Sequence, residues 1–513
     1  MLDRHGQIAG PSPLSGLARE AALFWPLAGG MIFSRLGLAA MDIVDGVMLA
    51  HHDSRQLAFF GLADAITSRL LDIGLALMLA GLALATQAAA GDRDEQRQAG
   101  RIWQQALLLA LVVGLIGAAL GAAGPGVLAL LGQGAPLAQG GGSVLTSLTL
   151  GILPGLVVMA TAGLLQAIGR PGVVLLAVLV ANVQNLLFNL MLIDGVPGGP
   201  PLGAMGVAGS TVLVRWIMAI ALLAVAWWLP QQARFGLRLP FTGRDWHVSA
   251  EQRAMGRAAA GRAAALALLP LGLVLMAGWR GERALAAITT LGVLLMPCMA
   301  VGRGLADAAG QRVTTVLEYA KKRPGSVSRC GERGTLLALA LLLLVVGLYG
   351  MALPTLVPLL GLDVSLTGQV VQWVPLGLTV VLAESLACQS AASLLSLGQQ
   401  RRPFVTNALV NVAGLPLAWV LAFGLNGGVA GLLGAQGVAS ALRAFALGRQ
   451  YRRVAQGLDH ASATALQVRA KAIAHGYADT VMVWPASSEG DDPCRGARND
   501  PRTAPGGRRM RRQ

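Results

Sequence analysis

Long apolar segments recur along most of this sequence and limit what the chain can fold into. The segment LLALALLLLVVGLYG (336–350) is typical, since it contains no charged residue and does not alternate apolar with polar positions. A helix needs about 20 apolar residues to cross a bilayer, whereas a transmembrane β-strand alternates apolar and polar side chains over about 10 residues. The sequence therefore predicts an all-α, polytopic membrane protein.

Twelve apolar segments are predicted to be transmembrane helices. Only 13% of the residues are charged, against about 25% in soluble domains, which agrees with this prediction. The segments cover residues 20–50, 57–90, 102–123, 141–168, 171–193, 204–229, 256–278, 284–309, 334–357, 367–397, 403–424 and 426–448.

Basic residues are distributed unevenly between the loops. The loops after the second, fourth, sixth, eighth and tenth segments carry most of them, and positive residues gather in cytoplasmic loops of membrane proteins. We therefore expect both termini in the cytoplasm and the protein in the inner (cytoplasmic) membrane. The net charge of +15 is interpreted in the same way, and no nucleic-acid partner is expected.

The basic stretch at 230–255 divides the segments into two sets of six. LLQAIGRPGVVL (164–175) in the first set resembles LLSLGQQRRPFV (394–405) in the second. Two such halves predict two six-helix lobes related by pseudo-two-fold symmetry, with the axis along the membrane normal. The predicted divisions are a cytoplasmic N-terminus (1–19), an N-lobe (20–229), a cytoplasmic inter-lobe loop (230–255), a C-lobe (256–450) and a disordered cytoplasmic tail (451–513).

Carboxylates at membrane depth are the main candidates for function, because each costs about 2.5–3.5 kcal/mol to insert. Asp42 and Asp45 lie on one face of the first segment, and Glu384 lies in the tenth. Asp45 and Glu384 have no basic residue within one helical turn, so we expect them to exchange a proton or bind a cation. Asp42 is expected to pair with Arg35 or Arg69 and to hold neighbouring spans together.

Polar and helix-bending residues at membrane depth add to these candidates. Asn185 and Asn189 are grouped with Asp45 and Glu384 as transport-site residues, and the secondary candidates are Asp42, Pro26, Asn182 and Asn411. Asn182, Asn185 and Asn189 in the fifth segment either serve the transport site or join helices by hydrogen bonds, and both interpretations remain open. Pro26 interrupts the hydrogen bonding of the first segment, giving either a fixed kink or two bend states. Asn411 in the eleventh segment is a further candidate. In the second segment, Asp64 and Asp72 are expected to form an ion-pair set with Arg69. The four cysteines show no metal-ligand spacing, and neither a metal nor a cofactor is expected.

Several motifs resemble, in order and spacing, those of the multidrug and toxic compound extrusion (MATE) family over residues 20–450. They are VDGVMLAHHD (44–53), GLALATQAAAGD (81–92), LLQAIGRPG (164–172) and MPCMAVGRGLADAAGQ (296–311). In this resemblance Asp45 stands at the first-span aspartate, Pro26 at the first-span proline, and Asn185 and Asn189 at the fifth-span asparagines. Glu384 stands where NorM-type members carry an acid, and this branch is the most similar in pattern.

The resemblance implies a V-shaped fold that opens alternately to each side of the membrane. It also implies a monomer that exports organic cations and other toxic compounds in exchange for H+ or Na+. The seventh segment, RAAALALLPLGLVLMAG (262–278), lacks the acid found in NorM-type members. Protons are therefore the expected coupling ion, with Asp45 as the main site and Glu384 as a secondary one. Arg303 in the eighth segment has no counterpart in this pattern.

Two alternative functions would each require different side chains at membrane depth. A lipid-linked oligosaccharide flippase of similar architecture would need Arg or Lys in its cavity, whereas the segment interiors show mainly Asp, Glu and Asn. An integral membrane enzyme would need a His, Ser or metal constellation at membrane depth, whereas histidines such as His51 and His247 lie in termini or loops.

Overall fold

A computed structural model describes residues 13–195, 200–230, 233–238, 250–319, 326–361 and 364–459. Within these ranges the chain forms fourteen α-helices, with a 3₁₀ turn at Val357–Leu360 and a π turn at Val420–Gly424, and no β-strand. The helices are α1 (Pro13–His52), α2 (Ser54–Ala90), α3 (Arg93–Ala122), α4 (Gly124–Leu130), α5 (Ala135–Thr149), α6 (Ile152–Ala167), α7 (Pro171–Leu192), α8 (Ala204–Trp228), α9 (Ala250–Trp279), α10 (Glu282–Tyr319), α11 (Ser326–Leu356), α12 (Val364–Ser396), α13 (Arg401–Trp419) and α14 (Gly428–Asp459).

The helices long and apolar enough to cross a membrane match the twelve predicted segments. Eleven spans are found in the described ranges, with α5 and α6 forming one of them, and α2 supplies a twelfth when its two parts are joined. These parts, Ser54–Leu79 and Gly81–Ala89, meet at an angle of 42°. The all-α, polytopic prediction is therefore confirmed.

Several helices continue beyond the apolar segments that predicted them. α10 extends to Tyr319 rather than ending near residue 309, and α14 extends to Asp459. Residues 451–459, predicted as the start of a disordered tail, are therefore helical, and Tyr451 and Leu458 are buried. Apolarity ends at the membrane surface, but helical hydrogen bonding does not, so hydropathy underestimates helix length. The rest of the predicted tail and most of the loop 230–255 lie outside the described residues.

Local sequence determines where some helices begin. The Asp92 carboxylate accepts hydrogen bonds from the backbone N–H groups of Asp94 and Glu95, and the Glu95 carboxylate accepts one from the Asp92 N–H. This reciprocal capping satisfies backbone donors that have no partner within the helix. The capping fixes the start of α3 at Arg93, where the chain reverses direction after α2.

The first and second sets of helices meet along α1 and α10, and along α2 and α9. Glycines allow the close approach of α1 and α10: a Cβ at Gly304 would lie 2.6 Å from Ile32 Cα, and one at Gly46 would lie 2.3 Å from a Val293 methyl. The two halves are therefore in backbone-level contact at the middle of α1, and a side chain of α10 packs against Gly46 nearer the end of α1. The exact lobe boundaries remain a prediction.

Ion pairs link the same helices near both membrane surfaces. At one side Arg55 contacts Glu282 at 2.8 Å. Toward the other side, Arg312 contacts Glu20 at 2.8 Å, and Arg35 contacts Asp307 at 2.7 Å. All three pairs join the first half of the chain to α10.

Candidate functional site

A buried hydrogen-bond network surrounds Asp45 between α1, α7 and α8. Asp45 is 1% exposed. Asn189 Nδ2 on α7 donates to Asp45 Oδ1 at 2.5 Å, and Thr211 Oγ1 on α8 lies 2.9 Å from Asp45 Oδ2. Each carboxylate oxygen thus has a donor from a different helix, and Asp45 sits where three helices meet.

A second layer of side chains orients Asn189. Ser210 Oγ donates to Asn189 Oδ1 at 2.5 Å, so the amide nitrogen of Asn189 is directed at Asp45. Asn185 Nδ2 lies 3.3 Å from Ser210 Oγ, and Asn185 and Asn189 share a face of α7 because they are four residues apart. All three side chains are fully buried. The structure therefore brings together Asp45, Asn185 and Asn189, as the sequence predicted, and adds Ser210 and Thr211.

Ser210 and Thr211 are absent from the residues that the sequence singled out. They lie in an apolar segment, where hydroxyl side chains often bond only to the helix backbone. Their single distinguishing signal is that they are adjacent, so that one reaches Asn189 while the other reaches Asp45. That signal has meaning only once α8 is known to pack on α7.

The charged residues near this network differ from those predicted. The expected pairing of Asp42 with Arg35 or Arg69 is wrong, because Arg35 contacts Asp307 at 2.7 Å on α10. Arg69 contacts Asp72 at 3.1 Å, as expected for that pair. Asp64 accepts a hydrogen bond from Ser68 Oγ at 2.9 Å, one turn further along α2.

Arg215 on α8 is a further charged residue that the sequence reasoning did not single out. It lies within electrostatic range of Asp42, Asp45 and Asp64. Its Nη1 atom is buried and has no hydrogen-bond partner in the described part of the chain. Arg215 therefore offsets part of the cost of burying the three carboxylates. Arg303 also lies within electrostatic range of Asp42, and Arg69 lies within range of Asp64.

The expectation that Glu384 lacks a basic partner is wrong. Arg443 on α14 forms an ion pair with the Glu384 carboxylate on α12, and Ser440 Oγ donates to Glu384 Oε2 at 2.6 Å. Arg443 is 2% exposed. The pairing was missed because α12 and α14 are far apart in sequence, and a search within one helical turn does not reach across them.

Three of the secondary candidates, Asn182, Asn411 and Pro26, form no hydrogen bond to Asp45 in the described part of the chain. Asn182 Nδ2 donates to the Val178 carbonyl at 2.8 Å and lies 3.3 Å from the Gly37 carbonyl on α1. Asn411 Nδ2 donates to the Ala265 carbonyl at 2.8 Å and so joins α13 to α9. Both asparagines act as helix-joining groups. Pro26 lies within α1, which continues through it.

Among the described residues, no group of three or more His, Cys, Asp or Glu side chains is placed to hold a metal ion. The polar groups around Asp45 are amides and hydroxyls. They form a site suited to hydrogen bonding and proton exchange at a single carboxylate.

The long apolar helices packed around this buried carboxylate define an all-α, polytopic membrane protein. A solved structure of a multidrug resistance MATE family transporter, in its inward-facing conformation, superposes with a TM-score of 0.68 at 16% identity. The match covers 83% of this chain and 98% of that one. The MATE fold predicted from the sequence is therefore confirmed.

Sequence comparisons lead to the same family. The family model described as MatE matches residues 31–191, which span α1 to α7 and include Asp45, Asn185 and Asn189. A probable multidrug resistance protein NorM from Caulobacter vibrioides is 28% identical over 60% of this chain and 64% of its own length. A protein of the same description from Pseudomonas putida is 34% identical over 41% of this chain and 46% of its own length.

The resemblance to the MATE family, and to its NorM-type members, is confirmed by these comparisons. The aligned region spans less than two thirds of the length of either of these two relatives.

Proposed function

We propose that this protein is a secondary active transporter that exports drug-like compounds, chiefly organic cations, in exchange for protons. The observation that carries the proposal is the fully buried Asp45, whose two oxygens are held by Asn189 and Thr211. The similarity to the MATE family and the relatives' description as probable multidrug resistance proteins support the substrate class. Asp45 is the proposed protonation site, and Asn185 and Asn189 are its supporting groups.

The Thr211 hydroxyl can serve both protonation states of Asp45. Its oxygen lies 2.9 Å from Asp45 Oδ2 and 2.9 Å from the Val207 carbonyl, but it has a single proton to donate. When Asp45 is ionised, Thr211 donates to the carboxylate. When Asp45 is protonated, its O–H donates to Thr211 Oγ1, and the Thr211 proton turns to Val207. Proton uptake therefore leaves every group hydrogen-bonded and removes the cost of a buried charge.

The same geometry favours a proton over sodium. Hard cations in proteins are held by several oxygen ligands. Around Asp45 the nearest groups present N–H and O–H donors, and the Asn189 oxygen is turned away toward Ser210. A sodium ion would require the Asn189 amide to rotate and to give up its bond from Ser210, whereas a proton requires no heavy atom to move.

The inter-helix ion pairs suit alternating access. Opening one side of the membrane requires α10 to separate from α1 or α2 on that side, which breaks the Arg55–Glu282 pair on one side or the Arg35–Asp307 and Arg312–Glu20 pairs on the other. The Arg55–Glu282 and Arg35–Asp307 pairs are partly exposed, and ion pairs of this kind contribute only about 0–1 kcal/mol, whereas the Arg312–Glu20 pair is more buried. Breaking and re-forming them is compatible with a reversible cycle.

Transport in inverted membrane vesicles tests the proposal. A fluorescent organic cation should accumulate inside when the lumen is made acidic, and a sodium gradient alone should give no accumulation. Vesicles without the protein supply the background. Accumulation that follows sodium and ignores the pH gradient would overturn proton coupling, and no accumulation under either gradient would overturn the proposed substrate class.

The Thr211 hydroxyl is expected to be required for efficient transport. Thr211→Val keeps the shape of the side chain but leaves a buried carboxylate oxygen without its donor, at a cost of about 1–3 kcal/mol. We expect the transport rate to fall by about tenfold, a reduction that corresponds to this range. Thr211→Ser keeps the hydroxyl and is expected to transport at close to the original rate. Equal rates for the Val and Ser variants would show that the hydroxyl is not used.

Membrane orientation is also open to a direct measurement. We propose that both termini face the cytoplasm, on the distribution of basic residues between loops. In a variant lacking the four native cysteines, Leu130→Cys should react with an impermeant thiol reagent applied to intact cells, because Leu130 is 90% exposed. Asp94→Cys should react only in inverted vesicles. The reverse pattern would mean that the orientation is inverted.

A further inference from the structure

A groove between α2, α3 and α9 combines an apolar wall with a basic end. Its volume is about 310 Å³. Leu77 and Met78 on α2 and Leu109 and Val112 on α3 line the wall, and Arg253 and Arg257 on α9 lie at one end. None of the described side chains that line the groove is acidic.

The groove runs along α3 and opens at the outer surface of the helix bundle. On α3 it extends from Ile102 to Val112, about 15 Å at the helical rise of 1.5 Å per residue. Val112 is half exposed, and the neighbouring Leu115 on the outer face of α3 is also exposed. Arg253 and Arg257 are on one face of the first two turns of α9, four residues apart. The apolar wall therefore lies at the depth of acyl chains and the arginines at the depth of headgroups.

We propose that this groove binds one anionic phospholipid, with its acyl chain against α2 and α3 and its phosphate at Arg253 and Arg257. Basic pockets between transmembrane helices are suited to anionic lipid headgroups. A zwitterionic lipid presents a positive group to the same two arginines and binds less well. The positive end also disfavours an organic cation, which separates this groove from the proposed transport route.

The bound lipid would bridge the two halves of the protein. α2 belongs to the first set of six spans and α9 to the second, and they touch at the base of the groove. A Cβ at Gly256 would lie 2.8 Å from the Leu77 carbonyl oxygen, and one at Gly81 would lie 2.8 Å from Gln252 Nε2. A lipid that contacts both helices stabilises the arrangement in which they are packed together. Under the proposed orientation it comes from the cytoplasmic leaflet.

Native mass spectrometry of the full-length protein in a neutral detergent tests this site. Phosphatidylglycerol should be retained as one bound molecule, while phosphatidylcholine with the same acyl chains and glycerol 3-phosphate should not. In Arg253→Gln/Arg257→Gln the affinity for phosphatidylglycerol should fall by about 25-fold, since each arginine contributes about fivefold. The matched control Arg401→Gln/Arg402→Gln removes two exposed arginines at the start of α13 and should bind phosphatidylglycerol normally.

A second variant tests the apolar part. Val112→Trp is expected to fill the wall of the groove and to reduce phosphatidylglycerol binding while both arginines remain. Thermal unfolding in the same detergent verifies that each variant is folded. Equal retention of phosphatidylcholine, or retention of glycerol 3-phosphate as strong as that of the lipid, would overturn the proposal. Unchanged binding in a folded Arg253→Gln/Arg257→Gln variant would overturn it as well.

Discussion

Asp45→Asn is expected to abolish proton-driven accumulation of the substrate while leaving the folded protein in the membrane. The new side chain has the same shape, and it can accept from Asn189 while it donates to Thr211, whose proton then turns to Val207. The variant therefore imitates protonated Asp45 and cannot release a proton. Accumulation in inverted vesicles with an acidic lumen should fall to the background of vesicles without the protein.

Asp42→Asn provides the matched control, since Asp42 lies one turn earlier on α1 and outside the Asn189–Thr211 network. It should keep most of the transport activity, at an expression level equal to that of Asp45→Asn in membrane immunoblots. If Asp42→Asn loses transport at normal expression while Asp45→Asn retains it, the roles of the two carboxylates are reversed.

Arg443→Met is expected to be the most destabilising of these substitutions. It leaves the Glu384 carboxylate without the cation that pairs with it, and removing one partner of a buried ion pair typically costs about 3–5 kcal/mol. Arg443 is 2% exposed, so water cannot take its place without a rearrangement of α12 and α14. The thermal unfolding temperature in detergent should fall markedly.

Two further variants test whether the loss of stability in Arg443→Met comes from the broken ion pair with Glu384. Glu384→Gln/Arg443→Met removes both charges, and its unfolding temperature should recover much of the loss. Arg452→Met changes an exposed arginine on the same helix and should leave the unfolding temperature unchanged. If Arg443→Met unfolds at the original temperature but transports without coupling to protons, the pair serves ion coupling rather than stability.

Asp45 and Glu384 differ in their surroundings, and this difference indicates which of the two carboxylates exchanges protons during transport. From sequence alone both are isolated carboxylates at membrane depth. In the folded chain the hydrogen-bond donors to Asp45 are neutral and Arg215 acts on it only through space, whereas Glu384 forms a direct ion pair with a buried arginine. A proton removes the buried charge of Asp45, but on Glu384 it would leave Arg443 as an uncompensated cation. We therefore expect proton exchange at Asp45 to dominate the cycle.

The sequence by itself determined the number and positions of the membrane helices. Span length and loop charge are local properties, because each helix satisfies its own backbone hydrogen bonds and meets the same bilayer. The order of short motifs indicated the family and, with it, that Asp45, Asn185 and Asn189 belong together. The lengths of α10 and α14 were underestimated because the parts of these helices that extend beyond the membrane are polar, and hydropathy detects only apolar segments.

The partners of the buried charges were decided only by the tertiary structure. Arg35 pairs with Asp307 and Glu384 with Arg443, across helices that are distant in sequence. Ser210 and Thr211 complete the Asp45 site because α8 packs with that face toward α1 and α7. The relative rotation and depth of two packed helices depend on contacts along both of them, such as the fit of Gly304 against Ile32. A short window of sequence contains only one side of such a contact, so it shows which charges are buried but not which group lies opposite each of them.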